Sequence, residues 1–224
     1  MQVSESLIRD IGAGRLVDGE RLLPERDMAR ELGISVGTLR KALADLDARG
    51  LLERVQGSGN YIKASDSLEG IYAYFRLELL EGGGLPTADV LDIQRLEKPG
   101  SIPSFGSSHE GHRIRRMRRL NDLPAAVEEI WLDGNYATRL NQDAMLESLY
   151  LYYHRELDLL ITQVEDRVSV GQTPGWAPNE FGLKAGSPAG LVERFSQSSD
   201  GTIAEYSRNW FDPGRARYVS RMRS

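Results

Sequence analysis

The sequence predicts an α+β chain of two unlike halves, helix-rich first and strand-rich after. Three observations predict it. Apolar residues recur at helical spacing up to about residue 48. Beyond about residue 90 they alternate in runs of strand length with helices inserted, the pattern of an antiparallel sheet. The length of 224 residues suits one large domain or two small ones.

Taken in order, Val3, Leu7, Ile8 and Ile11 fall on one helical face, and Gly12 and Gly14 stop that helix. Pro24 suits the first position of a second helix. Met28, Ala29 and Leu32 share its apolar face, and Gly33 ends it as a left-handed cap. Ser35 can cap a third helix by accepting from the amide of Thr38; Leu39, Ala42, Leu43 and Leu46 form its apolar stripe, and Gly50 closes it. Two strand-like runs, Leu51 to Val55 and Asn60 to Ala64, flank a hairpin turn at Gln56-Gly57-Ser58-Gly59. Ser65 to Gly70 is small and polar, so the expected organisation is a first domain over 1–64, a linker over 65–70 and a second domain over 71–224. In the second domain the alternating runs are Val90 to Leu96, Arg113 to Leu120, Ala125 to Leu132, Leu191 to Ser196 and Ile203 to Phe211. Helices are expected around Thr138 to Leu146 and Leu149 to Leu160, and loops at Gly82-Gly83-Gly84 and from Pro99 to Gly111.

Composition excludes several functions. Lys and Arg number 28 against 33 Asp and Glu, a net charge of −5, which rules out a globally basic nucleic-acid coat protein but not a local DNA footprint. Cysteine is absent, so there is no disulfide framework, thiolate metal site or cysteine nucleophile. No run approaches the ~20 apolar residues of a membrane helix, and the first eleven residues lack the pattern of a secretory signal. A cytoplasmic setting without membrane contact is expected. His109, His112 and His154 lack metal-ligand spacing. There is no P-loop, no dinucleotide-binding glycine motif and no G-x-S-x-G. No cofactor, metal or catalytic residue is therefore expected, and Trp131, Trp176 and Trp210 read as structural.

Two helices joined by the tight turn Leu32-Gly33-Ile34 suit a helix-turn-helix, whose second helix enters the DNA major groove and meets base edges with its N-terminal residues. Those residues are Ser35, Val36, Gly37 and Thr38, with Arg40 and Lys41 one turn on. With the apolar stripe turned inward, Arg40 is expected to be free to reach a phosphate or a guanine edge. Gly57 and Gly59 would let the hairpin tip approach the duplex backbone. By pattern alone, a solvated helix beside a routine hairpin fits equally well.

The strings Leu22-Leu23-Pro24-Glu25-Arg26-Asp27-Met28-Ala29, Ile34-Ser35-Val36-Gly37-Thr38-Leu39-Arg40-Lys41-Ala42-Leu43, Gly50-Leu51-Leu52-Glu53-Arg54 and Gly57-Ser58-Gly59-Asn60-Tyr61-Ile62 resemble the winged helix-turn-helix of GntR-family transcription regulators. The resemblance implies DNA contacts from Arg26, Ser35, Thr38, Arg40 and Gly57-Ser58-Gly59. Val36 stands where many members of the family have an arginine. A valine could touch a thymine methyl instead, so the operator need not match that of relatives. Asn60 stands where threonine is usual in the wing. Residues 1–63 hold ten basic and ten acidic side chains, so the deficit of −5 lies in the remainder. A single neutral module should bind weakly, and affinity is expected from a homodimer on a palindromic double-stranded operator.

In the second half, Arg113, Arg115, Arg116, Arg118 and Arg119 crowd one strand ahead of the turn Asn121-Asp122-Leu123-Pro124, and Glu128 and Glu129 lie on the return strand. Alternation puts Arg116 and Arg118 on one face and Arg115 and Arg119 on the other. Cross-strand Arg–Glu pairs are one outcome; an inner face with excess arginine, waiting for an anion, is the other. Arg116-Met117-Arg118, Pro124 with Glu128, Ser148-Leu149-Tyr150, Ile203-Ala204-Glu205-Tyr206 and Arg217-Tyr218 resemble the UTRA domain, the sensing half of the HutC branch of that family. The resemblance implies a chorismate-lyase-like antiparallel sheet and effector contacts at Arg116, Arg118, Glu128, Ser148, Tyr150 and Glu205. Arginine forks suit a carboxylate or a sugar phosphate. Ser148 could equally cap the following helix, and Tyr152 and Tyr153 read as core. The expected function is a ligand-responsive repressor. Its rivals are a constitutive dimeric DNA-binding protein and a lyase-like enzyme.

Overall fold

The computed structural model of the chain describes residues 2–12, 16, 19–48, 50–63, 74, 76–84, 86–145 and 148–220. The chain divides into two compact units, Met1–Arg76 and Leu77–Val219. The expected linker over 65–70 lies outside the described residues.

The first unit holds α1 (Gln2–Gly12), α2 (Glu25–Glu31), α3 (Val36–Ala48) and the hairpin of β1 (Leu52–Val55) with β2 (Gly59–Ile62). Pro24 supplies the N-cap of α2, and Gly33 leaves it at φ +64°. Ser35 Oγ accepts from the Thr38 amide at 3.0 Å, the expected cap of α3. Leu7, Ile8 and Ile11 from α1, Met28 and Ala29 from α2, and Leu39, Ala42, Leu43 and Leu46 from α3 are buried together with Leu51, Leu52 and Ile62. Leu32, expected on the apolar face, is exposed, because it is the C-cap of α2 and lies beyond its last turn. In the hairpin Val55 pairs with Gly59 around a turn in which Gly57 takes φ +78°. The chain at 19–22 docks along β2: the amide of Leu22 donates to the Asn60 carbonyl at 2.9 Å, and that of Ile62 to the Glu20 carbonyl at 2.8 Å.

The second unit is built on a six-stranded, fully antiparallel sheet in the order β4-β5-β6-β9-β8-β7. Its strands are β4 (Pro86–Glu97), β5 (Glu110–Leu120), β6 (Leu123–Asp133), β7 (Ile161–Gln172), β8 (Pro188–Ser198) and β9 (Ile203–Phe211). A separate strand pair joins β3 (Leu77–Leu79) to β10 (Ala216–Tyr218). Asn121 and Asp122 turn β5 into β6 at φ +50° and +64°, the left-handed pair that a two-residue hairpin demands. Helix α4 (Leu149–Leu157) lies against one sheet face. The other face carries two aromatic clusters: Ile102 and Phe105 on Trp131 and Tyr206, and Phe181 with Trp210, Met117 and Val127.

Two expectations are corrected. A helix over Thr138 to Leu146 does not form. The Asn141 side chain accepts from the Asp143 amide at 3.1 Å, which yields a single 3-10 turn at Gln142–Ala144, and Met145 is already extended. Helix α4 ends at Leu157 rather than Leu160, because Asp158 adopts φ +50° and the Leu159 amide closes back on the Tyr153 carbonyl. Strand β7 was not anticipated. It is an edge strand exposed along most of its length, with Val168 and Val170 among its exposed residues.

Candidate DNA-reading helix and effector-binding face

Helix α3 turns its leucines inward and leaves Gly37, Thr38, Arg40 and Lys41 exposed, with Ser35 exposed at its cap and Val36 half-buried. The Ser35 and Thr38 hydroxyls are 2.9 Å apart and so are turned toward each other. Arg26, on α2, is exposed, as are Gly57 and Gly59 at the wing. Ser58 is half-buried, its hydroxyl 2.6 Å from the Tyr61 phenol. Gly59, at φ +131°, is backed by the Arg21 guanidinium. The expectation of an untethered Arg40 is corrected: its Nε donates to Glu25 Oε2 at 2.6 Å. The crossing of α2 and α3 brings the two together across fifteen positions, a contact that no helical spacing can reveal.

In the second unit, register sorts the arginine-rich strand by face. Arg116 pairs with Glu128, and Arg115 with Glu129, directly across β5 and β6. Successive side chains point to opposite faces, so two ionic clusters form back to back. On the face away from α4, Glu129 takes Arg115 at 2.7 Å and Arg208 at 2.6 Å, with Arg115 stacked on Trp176 and Arg208 on Trp210. Arg119 instead reaches Asp89 and Glu180 near the surface.

The α4 face is more buried. The Arg116 and Glu128 side chains are 3% and 8% exposed; Arg116 reaches Glu128 Oε2 at 2.7 Å, and Arg118 Nε donates to Oε1 at 3.1 Å. Burial alone would push the Glu128 carboxyl upward, but the two guanidiniums outweigh it and hold it below the ordinary glutamate value. Further along the same face lies Glu205, which accepts from the phenols of Tyr153 at 2.7 Å and Tyr150 at 3.3 Å and from Ser196 at 2.9 Å. Burial pushes its carboxyl upward, against those donors and the positive charge of Arg194 and Arg116. Tyr150 also lies 2.8 Å from the Ser196 hydroxyl. Both phenols are raised, first by burial and then by the charge of Glu205. Arg194 is gripped by both oxygens of Asp166 at 2.6 and 2.7 Å, and Asp166 also accepts from the Tyr218 phenol at 2.7 Å.

Five of the six expected effector contacts therefore lie in one buried polar lane: Arg116, Arg118 and Glu128 at one end, Tyr150 and Glu205 at the other, with the charge of Arg116 felt at Glu205. Ser148 caps α4: its hydroxyl accepts from the Leu151 amide at 3.3 Å. The sequence reading missed Ser196, Arg194 and Asp166. Their period-two placement on β8, opposite Glu205 on the β8–β9 hairpin, is the signal that would have found the first two. Tyr153 is core by its ring, yet its hydroxyl belongs to the lane. A cleft of about 650 Å³ opens at the β4 edge beside His112, Arg95, Arg139 and Asn141; none of the six candidates lines it. Among the described residues, no group of three or more His, Asp or Glu could hold a metal ion, and no helix is long and apolar enough to cross a membrane.

A helix-turn-helix with a glycine-turned wing, followed by an antiparallel sheet that carries a buried ionic lane under one helix, defines a transcriptional regulator with a separate sensing domain. Residues 1–62 match the family of bacterial regulatory proteins called gntR, and residues 81–217 match the UTRA domain. The chain belongs to the GntR family, in its UTRA-bearing HutC branch. It is 61% identical over 223 residues to the HTH-type transcriptional regulator SmoD of Agrobacterium fabrum, covering 100% of this chain and 95% of that one. It is 27% identical to the HTH-type transcriptional repressor NagR of Bacillus subtilis, covering 99% of this chain and 93% of the relative. The crystal structure of the ligand-binding domain of a GntR-family regulator from Bordetella bronchiseptica shares the fold at a TM-score of 0.58 and 19% identity, over 67% of this chain and 98% of that one. Regulators of this family bind DNA operators, and the UTRA domain marks effector sensing.

Proposed function

We propose that the chain is a repressor that binds a palindromic operator as a homodimer, and that a small anionic or polyhydroxy metabolite, such as a carboxylate or a sugar phosphate, changes its operator affinity. DNA would be read by Arg26, Ser35, Val36, Thr38, Arg40 and Lys41, with Gly57 to Gly59 at the backbone. The effector would be held by Arg116, Arg118, Glu128, Ser148, Tyr150 and Glu205. The observation that carries this reading is the buried lane in which two guanidiniums converge on one carboxylate while phenols and hydroxyls gather on another. An arginine pair offers an anion its forks, and the phenols and Glu205 offer a polyol both donors and acceptors. The effector acts by its differential affinity for two arrangements of the dimer.

A second reading draws on the same pairing. Arg116 and Arg118 already engage Glu128, which suits a structural ionic core in a constitutive DNA-binding dimer. Native mass spectrometry of the chain purified from its own cells, followed by thermal shift against sugar phosphates and carboxylates, separates the two. A bound small anion that raises the melting temperature supports sensing. No bound molecule and no shift across the series supports the constitutive reading.

A further inference from the structure

Two long cations, Arg40 and Lys41, stand on the exposed side of α3 near its N-terminal end. The other exposed positions there are short, and the hydroxyls of Ser35 and Thr38 are engaged with each other. Lys41 carries a compact charge that suits a phosphate from many directions. Arg40 differs, because Glu25 holds it by Nε at 2.6 Å. The Arg40 side chain is 67% exposed while that of Glu25 is 24% exposed, so the carboxylate is the inner, fixed partner and the guanidinium is the outer one. Glu25 is the first residue of α2, directly after its N-cap Pro24. Ser35 already caps α3. The first turn of α2 already suits an acidic residue at position 25, and the bond to Arg40 is a further use of that carboxylate.

We propose that Glu25 is a specificity-determining residue: its carboxylate positions Arg40 as a reader of a base edge and disfavours its use as a phosphate clamp. The proposal rests on the assignment of α3 as the DNA-reading helix. Its physics has two parts. A guanidinium held at Nε has fewer orientations to lose on binding, and its terminal N–H pair is left to grip two acceptors on one base. A carboxylate beside the contact also repels phosphate oxygens, so sequence-independent binding is weakened. Tethering a cation in this way sacrifices general affinity and gains discrimination. The value of that discrimination is set by the many competing sites in a genome.

The two parts separate by substitution. In Glu25→Gln the amide oxygen still accepts from Arg40 but the charge is gone. In Glu25→Ala both are lost. The probes are the tightest duplex selected from a random library by the wild-type full-length chain, and a scrambled duplex of equal length. For Glu25→Gln, affinity for the scrambled duplex is expected to rise about threefold, with a salt slope steeper by about one unit. Affinity for the selected duplex is expected to stay near wild type. For Glu25→Ala, affinity for the selected duplex falls about tenfold, while the scrambled duplex again binds more tightly. Far-UV circular dichroism and melting temperature control for folding. Arg40→Ala run in parallel tells the two ideas apart. If Arg40→Ala leaves selected-duplex affinity unchanged, the assignment of α3 fails and the proposal with it. If Arg40→Ala weakens it but both Glu25 variants keep the wild-type ratio of selected to scrambled affinity, Glu25 is only a structural ion-pair partner and the proposal alone is overturned.

Discussion

Replacing Glu128 by glutamine keeps its volume and removes its charge, and the structure fixes what that change does. Arg116 and Arg118 both direct bonds at this carboxylate, at 2.7 and 3.1 Å, from side chains that are 3% and 10% exposed. Glutamine offers one carbonyl oxygen where two oxygens were used, and it turns an N–H₂ group toward the other guanidinium. Removing one partner from a buried ionic group costs about 3–5 kcal/mol, because the remaining charge is left uncompensated. For a unit of this size, each kcal/mol corresponds to roughly 2–4 °C, so the melting temperature should fall by about 6–20 °C. The assay is urea unfolding followed by tryptophan fluorescence. All three tryptophans, Trp131, Trp176 and Trp210, lie in the second unit and report it selectively. The pH dependence supplies a second readout. Because the carboxyl of Glu128 is held below its ordinary value, its contribution is complete above the ordinary glutamate range and is lost as pH falls through the lowered value. The gap between wild type and Glu128→Gln should therefore be wide at neutral pH and close toward strong acid. A variant within about 1 kcal/mol of wild type at neutral pH would refute the claim that this ion cluster is buried and interdependent.

Three further outcomes follow from the same geometry. Glu205 has the opposite sign: its carboxyl is raised by burial, so its contribution is complete below the ordinary glutamate value and is lost as pH rises through the raised one. The stability of wild type relative to Glu205→Gln should thus decline as pH rises from the ordinary glutamate range through the raised value, and a flat difference in urea titrations would contradict it. At Gly190 a methyl group would collide with the Phe211 ring, so Gly190→Ala should lose about 1–3 kcal/mol by overpacking, read from the same fluorescence transition. Ser35→Ala removes the hydroxyl that caps α3 and should destabilise the first unit by about 1 kcal/mol, measured by far-UV circular dichroism.

The helix-turn-helix was legible because local chemistry fixes it: a proline start, a left-handed glycine, a serine cap and a leucine stripe all lie within one short stretch. The central strands β6 and β9 were legible because their apolar residues recur in runs of strand length, and both are buried along most of their length. Strand β7 was passed over: most of its side chains face solvent, and charged residues dilute the alternation of Val164, Val168 and Val170. A helix was expected around Asn141, but its side chain bonds the Asp143 amide and leaves a single 3-10 turn. In the candidate site, the opposite faces of Arg115 and Arg116 followed from strand alternation alone. The joining of Glu205 to Tyr150, Tyr153 and Ser196 did not. Ser196 faces Glu205 across the β8–β9 hairpin, but the two tyrosines arrive only through the packing of α4, which is set by contacts across forty-six to fifty-five positions. The Glu25–Arg40 pair was hidden for the same reason, since it reports a helix crossing rather than a helical face.

In the proposed function, occupancy of the lane beneath α4 alters how the first unit binds DNA. The direct measurement is the affinity of the full-length chain for its selected duplex, with and without the small molecule that native mass spectrometry finds on it, in wild type and in Arg116→Lys. A change of at least about fivefold is expected in wild type. In Arg116→Lys, which loses the planar fork but keeps the charge, a sharply reduced response and an unchanged affinity for DNA alone are expected. An equal response in both proteins, or none in wild type, would contradict it.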